Sequence, residues 1–227
     1  MTTRRQVEKL VKPLLARHSD LALVGRMLIV RPVRHIHRVM AINSSSSADW
    51  FHPEWLITHY CVPRKQIPFY FMERLRPERG IRWLWNEPAM PEAFYDVFEN
   101  QALPLLRNVV TFDDLLRLKS KEAREPPLWD YVTLQELTVH LARGDLDSAR
   151  KICRLITEHP VDWSAPQWNG IHEAIIEPLC SRLRRDDFDG LTNLLRDWEF
   201  STVQALKLDK LWEPTQFPLE VSRPPIS

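Results

Sequence analysis

Glycine is scarce in this chain, with five residues among 227. That scarcity disfavours a glycine-cradled phosphate site, and no Gly-rich phosphate loop is present. Gly-x-Ser-x-Gly, Cys-x-x-Cys and His-Glu-x-x-His are also missing, which removes the common nucleophile-elbow, redox and zinc-protease signatures. No run of about 18 apolar residues occurs, so no membrane span is expected. The opening MTTRRQVEKL carries arginines without a following apolar core, so it does not read as a secretory signal. The cysteines are only three, Cys61, Cys153 and Cys180, odd in number and far apart. They predict no disulfide framework but three free thiols in a reduced, cytoplasmic protein. Aromatic residues are missing before Trp50.

Aromatics then arrive together. Twelve of the 22 lie between Trp50 and Phe98, which marks the main core-building segment. The hydrophobic share of 44% is that of an ordinary globular chain, long enough for one large or two small domains. The net charge of +1 conceals an asymmetry. Residues 1–40 hold nine Lys/Arg and two acids, or +7; the remainder holds 22 and 28, or −6. A basic end of this kind can attract nucleic acid, an acidic protein, or the chain's own acidic half.

Val7, Leu10, Val11, Leu14 and Leu15 predict an amphipathic helix that Pro13 kinks or splits. Leu23 to Val30 has strand character, and Val33 to Ile42 alternates. Val33, His35, His37, Val39 and Ala41 are expected on one face, with Arg34, Ile36, Arg38, Met40 and Ile42 on the other. Asn43 and the serines 44–47 read as a turn. Further strands are predicted over Trp55–Val62, Ile67–Met72 and Ile81–Trp85, joined by short links such as Pro63-Arg64-Lys65, which suits an antiparallel meander. From Pro91 the period becomes helical. Pro91 fits the first turn of a helix bearing Phe94, Tyr95 and Phe98, and Thr111-Phe-Asp-Asp114 starts another. The charged stretch Lys119 to Pro127 is the expected boundary. Beyond it, Thr133-Leu-Gln-Glu136 reads as a capping box for a helix stopping near Gly144, and Asp145 as the cap of the next.

A unit recurs 42 residues on: LARGDLDSARKICRLI (141–156) aligns with LRRDDFDGLTNLLRDW (183–198), with Leu141/Leu183, Arg143/Arg185, Asp145/Asp187, Asp147/Asp189 and Arg154/Arg196 identical. The stretch resembles helix-pair repeats of the tetratricopeptide kind, in which a Gly-Asp turn joins two antiparallel helices. It departs from that family in lacking the Trp-Leu-Gly and closing Pro positions at a period of about 34 residues. With two units visible, the helices are expected to pack on the sheet or on each other. The layout of PLLARHSDLALVGRMLIVR and FHPEWLITHYCV is similar to an uncharacterised bacterial family of small α+β domains, some read as accessory or immunity proteins of toxin systems. That resemblance implies a protein partner and brings no site residues with it.

Three constellations carry chemistry. If strands 33–42 and 55–62 are neighbours, His35, His37, His59 and Cys61 can converge on a zinc or iron ion, with His52 nearby. Arg31, Arg34 and Arg38 in RPVRHIHR can contact phosphates or the acids of a protein partner. Arg79, Arg82, Trp83 and Trp85 suit a protein-interface hot spot, and Trp83 and Trp85 could also stack on bases. The proline-rich tail ending Arg223-Pro224-Pro225 reads as an extended arm.

The expectation is therefore an α+β fold: an N-terminal helix plus an antiparallel β-meander of four or five strands (residues 1–125), then a helical-hairpin region with an extended tail (126–227). The expected function is a non-enzymatic protein–protein interaction module, a toxin-neutralising or adaptor protein, with no cofactor, no resident metal and no membrane partner. The alternatives are a metal-assisted hydrolase built on the His/Cys cluster and a nucleic-acid binder led by the basic end. Nothing in the sequence fixes the oligomeric state.

Overall fold

The computed structural model describes residues 1–62, 71–78, 82–120, 131–158, 170 and 172–221. Arg79, Ile67, Phe69, Ile81, the Pro63-Arg64-Lys65 link, most of the expected 119–127 boundary and Arg223-Pro224-Pro225 lie outside them. The fold is α+β: an N-terminal helix, an antiparallel sheet, then helices.

Helix α1 (Arg4–Arg17) opens with a capping box at Thr3 and buries Val7, Leu10, Val11 and Leu14. It runs unbroken through Pro13. The carbonyl deprived of its partner belongs to Lys9, an exposed residue, so water can satisfy it and the helix is not split.

The region read as one strand from Leu23 is a hairpin, β1 (Leu21–Val24) and β2 (Met27–Val30), in register Val24 opposite Met27. Gly25 at φ +63° supplies the two-residue turn. β3 (Ile36–Ser44) and β4 (Trp50–His59) pair over their lengths, from Ile36 opposite His59 to Ser44 opposite Phe51. β5 (Phe71–Arg74) and β6 (Trp83–Leu84) both pair with β4 at different heights. The sheet order is β1-β2-β3-β4-β5, an antiparallel meander, with β6 beside β4.

Both faces of this sheet are covered. Leu28, Ile36, Met40, Ile42 and Ile57 belong to a core that includes α1 and the helix α2 (Met90–Val97), which carries Phe94. Ile29, Val33, Val39 and Tyr60 form a second cluster with Val203 and Leu208. After α2 the chain passes through a π-helical turn (Phe98–Ala102) into α3 (Leu103–Asn108). α4 (Phe112–Ser120) begins as expected: the Thr111 hydroxyl accepts from the Asp114 N–H at 3.1 Å, and Asp114 accepts from the Thr111 N–H at 2.9 Å.

The two hairpins are α5 (Tyr131–Arg143) with α6 (Leu146–Glu158), and α7 (Glu177–Arg184) with α8 (Phe188–Ala205). α5 starts before Thr133, so that residue is inside the helix rather than its cap. Asp145 does cap α6, accepting from the Ser148 N–H at 3.2 Å. Asp187 caps α8, accepting from the Gly190 N–H at 2.9 Å. The expectation of three free thiols fails: Cys153 on α6 and Cys180 on α7 form a disulfide, and Cys61 is a free, buried thiol. The hairpins pack side by side, which brings two cysteines 27 residues apart to a Cα separation of 5.7 Å, within disulfide range. A final short helix, α9 (Pro218–Val221), packs on α5 and α8.

Candidate functional site

The chain leaves β2 at Val30, passes Arg31 and Pro32 and re-enters the sheet at Ile36, so Arg31 and Arg34 sit on the connection and Arg38 on β3. These three expected contact residues line one pocket of about 380 Å³. Arg107 from α3 and Asp20 from the α1–β1 link complete its charged lining. Sequence reasoning missed Arg107 and Asp20, because nothing local marks residues 87 positions apart as neighbours.

The four guanidinium groups are held differently. Arg107 makes a two-pronged bond to Asp20 at 2.7 and 2.8 Å. That bond holds the Asp20 carboxyl below its usual range, against the opposing effect of burial. Arg31 donates to the Ser19 carbonyl. Arg34 reaches Glu213 at 3.1 Å, with both side chains more than half exposed (53% and 56%), so the pair contributes little. Arg38 is 6% exposed and donates to the Pro32 carbonyl at 2.9 Å, while its buried Nε has no hydrogen-bond partner. Burial pushes the Arg38 guanidinium below its ordinary value, with the neighbouring Arg34 acting in the same direction. Four arginines thus line the pocket with one carboxylate. That arrangement suits the oxygens of a carboxylate or phosphate, which guanidinium forks bind in pairs.

The second group of expected contact residues lies elsewhere. Arg82 stacks over the Trp50 ring at 4.9 Å. Trp83 is 3% exposed and donates its indole N–H to the Leu75 carbonyl at 2.8 Å, so most of its ring is core. Trp85 stacks on Phe51 at 4.2 Å. Arg82 and Trp83 border a groove of about 1010 Å³ between β6 and α2, with Leu84 and Met90 in its wall.

The His/Cys expectation is half realised. Among the described residues, His35, Cys61 and Glu199 bring one ligand atom each to within 4.8 Å of one another. His37 and His59 do not join them. His35 precedes β3, so the strand alternation does not hold it beside His37. Its ring stacks on Phe217 at 4.3 Å, and its Nδ1 meets the Glu199 carboxylate at 3.0 Å. His37 instead faces the Tyr60 hydroxyl at 2.5 Å. Burial lowers the pKa of His37 to about 4 and of His59 to about 3. Burial, then the Glu199 charge, pushes the Cys61 thiol up. Glu199 is 2% exposed and accepts from the Trp212 indole at 3.3 Å. Of the three, Glu199 on α8 had no sequence signal, since it stands 138 residues beyond Cys61.

No protein-family model, curated protein or solved structure matches this chain. Among the described residues, no helix is long and apolar enough to cross a membrane.

Proposed function

We propose that this chain is a non-enzymatic protein-interaction module, of the adaptor or toxin-neutralising class, and that its arginine pocket receives a carboxylate from an acidic segment of the partner protein. The observation that carries the reading is the gathering of Arg31, Arg34, Arg38 and Arg107 around one small pocket with one lining acid. Arg38 is positioned by burial and by its bond to the Pro32 carbonyl, so little order has to be created on binding. Arg31 and Arg34 stand at the rim, where the weak Arg34–Glu213 pair can be exchanged for a partner's acid. A protein carboxylate is favoured over a nucleic-acid backbone because other basic residues of the N-terminal end are already paired within the chain, as in Arg4–Glu8 and Arg17–Glu99.

The compartment proposed is the cytoplasm, on the odd cysteine count and the free Cys61. The Cys153–Cys180 disulfide argues the other way, and thiol trapping at lysis decides between them.

The test starts with the tagged chain in its native host and a complex that survives gel filtration at fixed stoichiometry. Binding of that purified partner is then measured for wild type and for Arg31→Ala/Arg34→Ala. Loss of about tenfold or more supports the reading. Sub-stoichiometric recovery, or unchanged affinity in the double variant, overturns it. Affinity for nucleic acid that falls steeply with salt favours the alternative, since counterion release demands that slope.

A further inference from the structure

We propose that His35, Cys61 and Glu199 form a structural site for one divalent transition-metal ion of the zinc class, a site independent of the arginine pocket. The three side chains come from three places: just ahead of β3, just beyond β4, and the middle of α8. Their ligand atoms already lie within 4.8 Å of one another. Zinc bonds of about 2.0–2.3 Å place tetrahedral ligands roughly 3–4 Å apart, so closing on an ion needs shifts of about 1 Å or less.

The charges balance. A Cys61 thiolate, a Glu199 carboxylate and a neutral His35 ring together neutralise a dication, and a neutral centre is what a buried site tolerates. As the bonds form, the Cys61 thiol proton leaves to solvent, and His35 carries its one ring proton on Nε2, toward the Gln216 carbonyl, leaving Nδ1 for the ion. No electron is transferred.

The surroundings resemble the supporting bonds that orient metal ligands. With Nδ1 toward the ion, His35 Nε2 faces the Gln216 carbonyl at 3.2 Å and the Thr215 hydroxyl at 3.0 Å. The Trp212 indole holds Glu199 from the other side. Three protein ligands leave one tetrahedral position, as in catalytic zinc sites. Here, however, Cys61 is 0% and Glu199 2% exposed, with the His35 side chain at 12% the most accessible of the three, so the role inferred is structural. Such an ion would fasten α8 and the chain around Trp212 to Gln216 to the end of the sheet.

The probe is cobalt(II), added to chelator-treated protein without reductant so that the Cys153–Cys180 disulfide stays closed. Wild type is expected to bind one equivalent with a near-ultraviolet thiolate-to-cobalt charge-transfer band, and zinc above its dissociation constant is expected to raise the unfolding midpoint with the logarithm of its concentration. Cys61→Ser is expected to lose the band. Glu199→Gln, which keeps the size and a hydrogen-bonding carbonyl, is expected to fold and bind at least about tenfold more weakly. No band and no zinc-dependent stabilisation in wild type overturn the proposal. So does a band that persists in Cys61→Ser, or unchanged affinity in Glu199→Gln.

Discussion

His37 and His59 are imidazoles kept neutral by burial, and each has a consequence in solution. In the folded chain they titrate near pH 4 and 3, against 6.5 when unfolded. Between about pH 6.5 and 4 the unfolded chain therefore binds more protons than the folded one, so stability falls as pH falls through that window. Above about pH 6.5 their contribution is fully present. His37 alone is expected to contribute a loss of up to about 3 kcal/mol on acidification. Urea unfolding at pH 7.5 and pH 4.5 checks this, and His37→Gln, which can still bond the Tyr60 hydroxyl, is expected to flatten the dependence. The carboxylates with lowered values act lower down, Asp20, Asp114 and Asp145 from about 3.8 and Glu99 from about 4.5, so the upper part of the window belongs to the histidines. At this scale the sequence supplied candidate residue types but not their states. His35 and His37 differ by two positions and differ completely in surroundings, because the strand that should have aligned them starts at Ile36.

The two helical hairpins show what an element can inherit from a repeat. Gly144 and Asp186 occupy equivalent places in the 42-residue alignment, and both take positive φ, +82° and +54°. In both turns the next N–H, of Asp145 or Asp187, returns to the carbonyl of His140 or Arg182, at 2.9 and 3.0 Å. One turn thus has glycine where the backbone wants it, and the other places an aspartate there. Asp186→Gly is expected to stabilise by about 0.5–1 kcal/mol, since the residue leaves a left-handed conformation that penalises a side chain. Its ion pair with Arg150 at 2.7 Å is 64% exposed on the Asp side, so its loss offsets little. Thermal unfolding measures the change, and a drop in midpoint would show that the Arg150 pair outweighs the backbone strain. Elements were the most legible level of this chain. The helix starts read at Thr111 and Asp145 depend on residues within three positions, which is the range a local pattern describes, whereas the start read at Thr133 lies inside α5.

At the scale of the molecule, the helical half completes what the sheet lacks. Val203 and Leu208 cover Ile29, Val33, Val39 and Tyr60, and Val33 bridges to Trp212 in the same cluster of contacts. The Thr202 hydroxyl donates to the Val62 carbonyl at 2.9 Å across 140 residues of sequence. The disulfide then joins one hairpin to the other. Closing a loop of 27 residues is expected to contribute about 3–4 kcal/mol by restricting the unfolded chain. Urea unfolding of wild type against Cys153→Ser/Cys180→Ser measures it, and equal midpoints would contradict that expectation. The pairing was invisible beforehand, because an odd number of distant cysteines carries no information on which two helices will meet.

By itself, the sequence determined the α+β class, the antiparallel meander, the helix starts at Thr111 and Asp145 and the paired hairpins. Each follows from hydrophobic period, turn residues and side-chain-to-backbone bonds a few positions apart. Only the tertiary structure decided that Arg107 joins Arg31, Arg34 and Arg38, that Glu199 meets His35 and Cys61, and that Cys153 bonds Cys180. Those meetings depend on how layers pack across tens to more than a hundred residues, and no periodic pattern encodes which buried faces are pressed together.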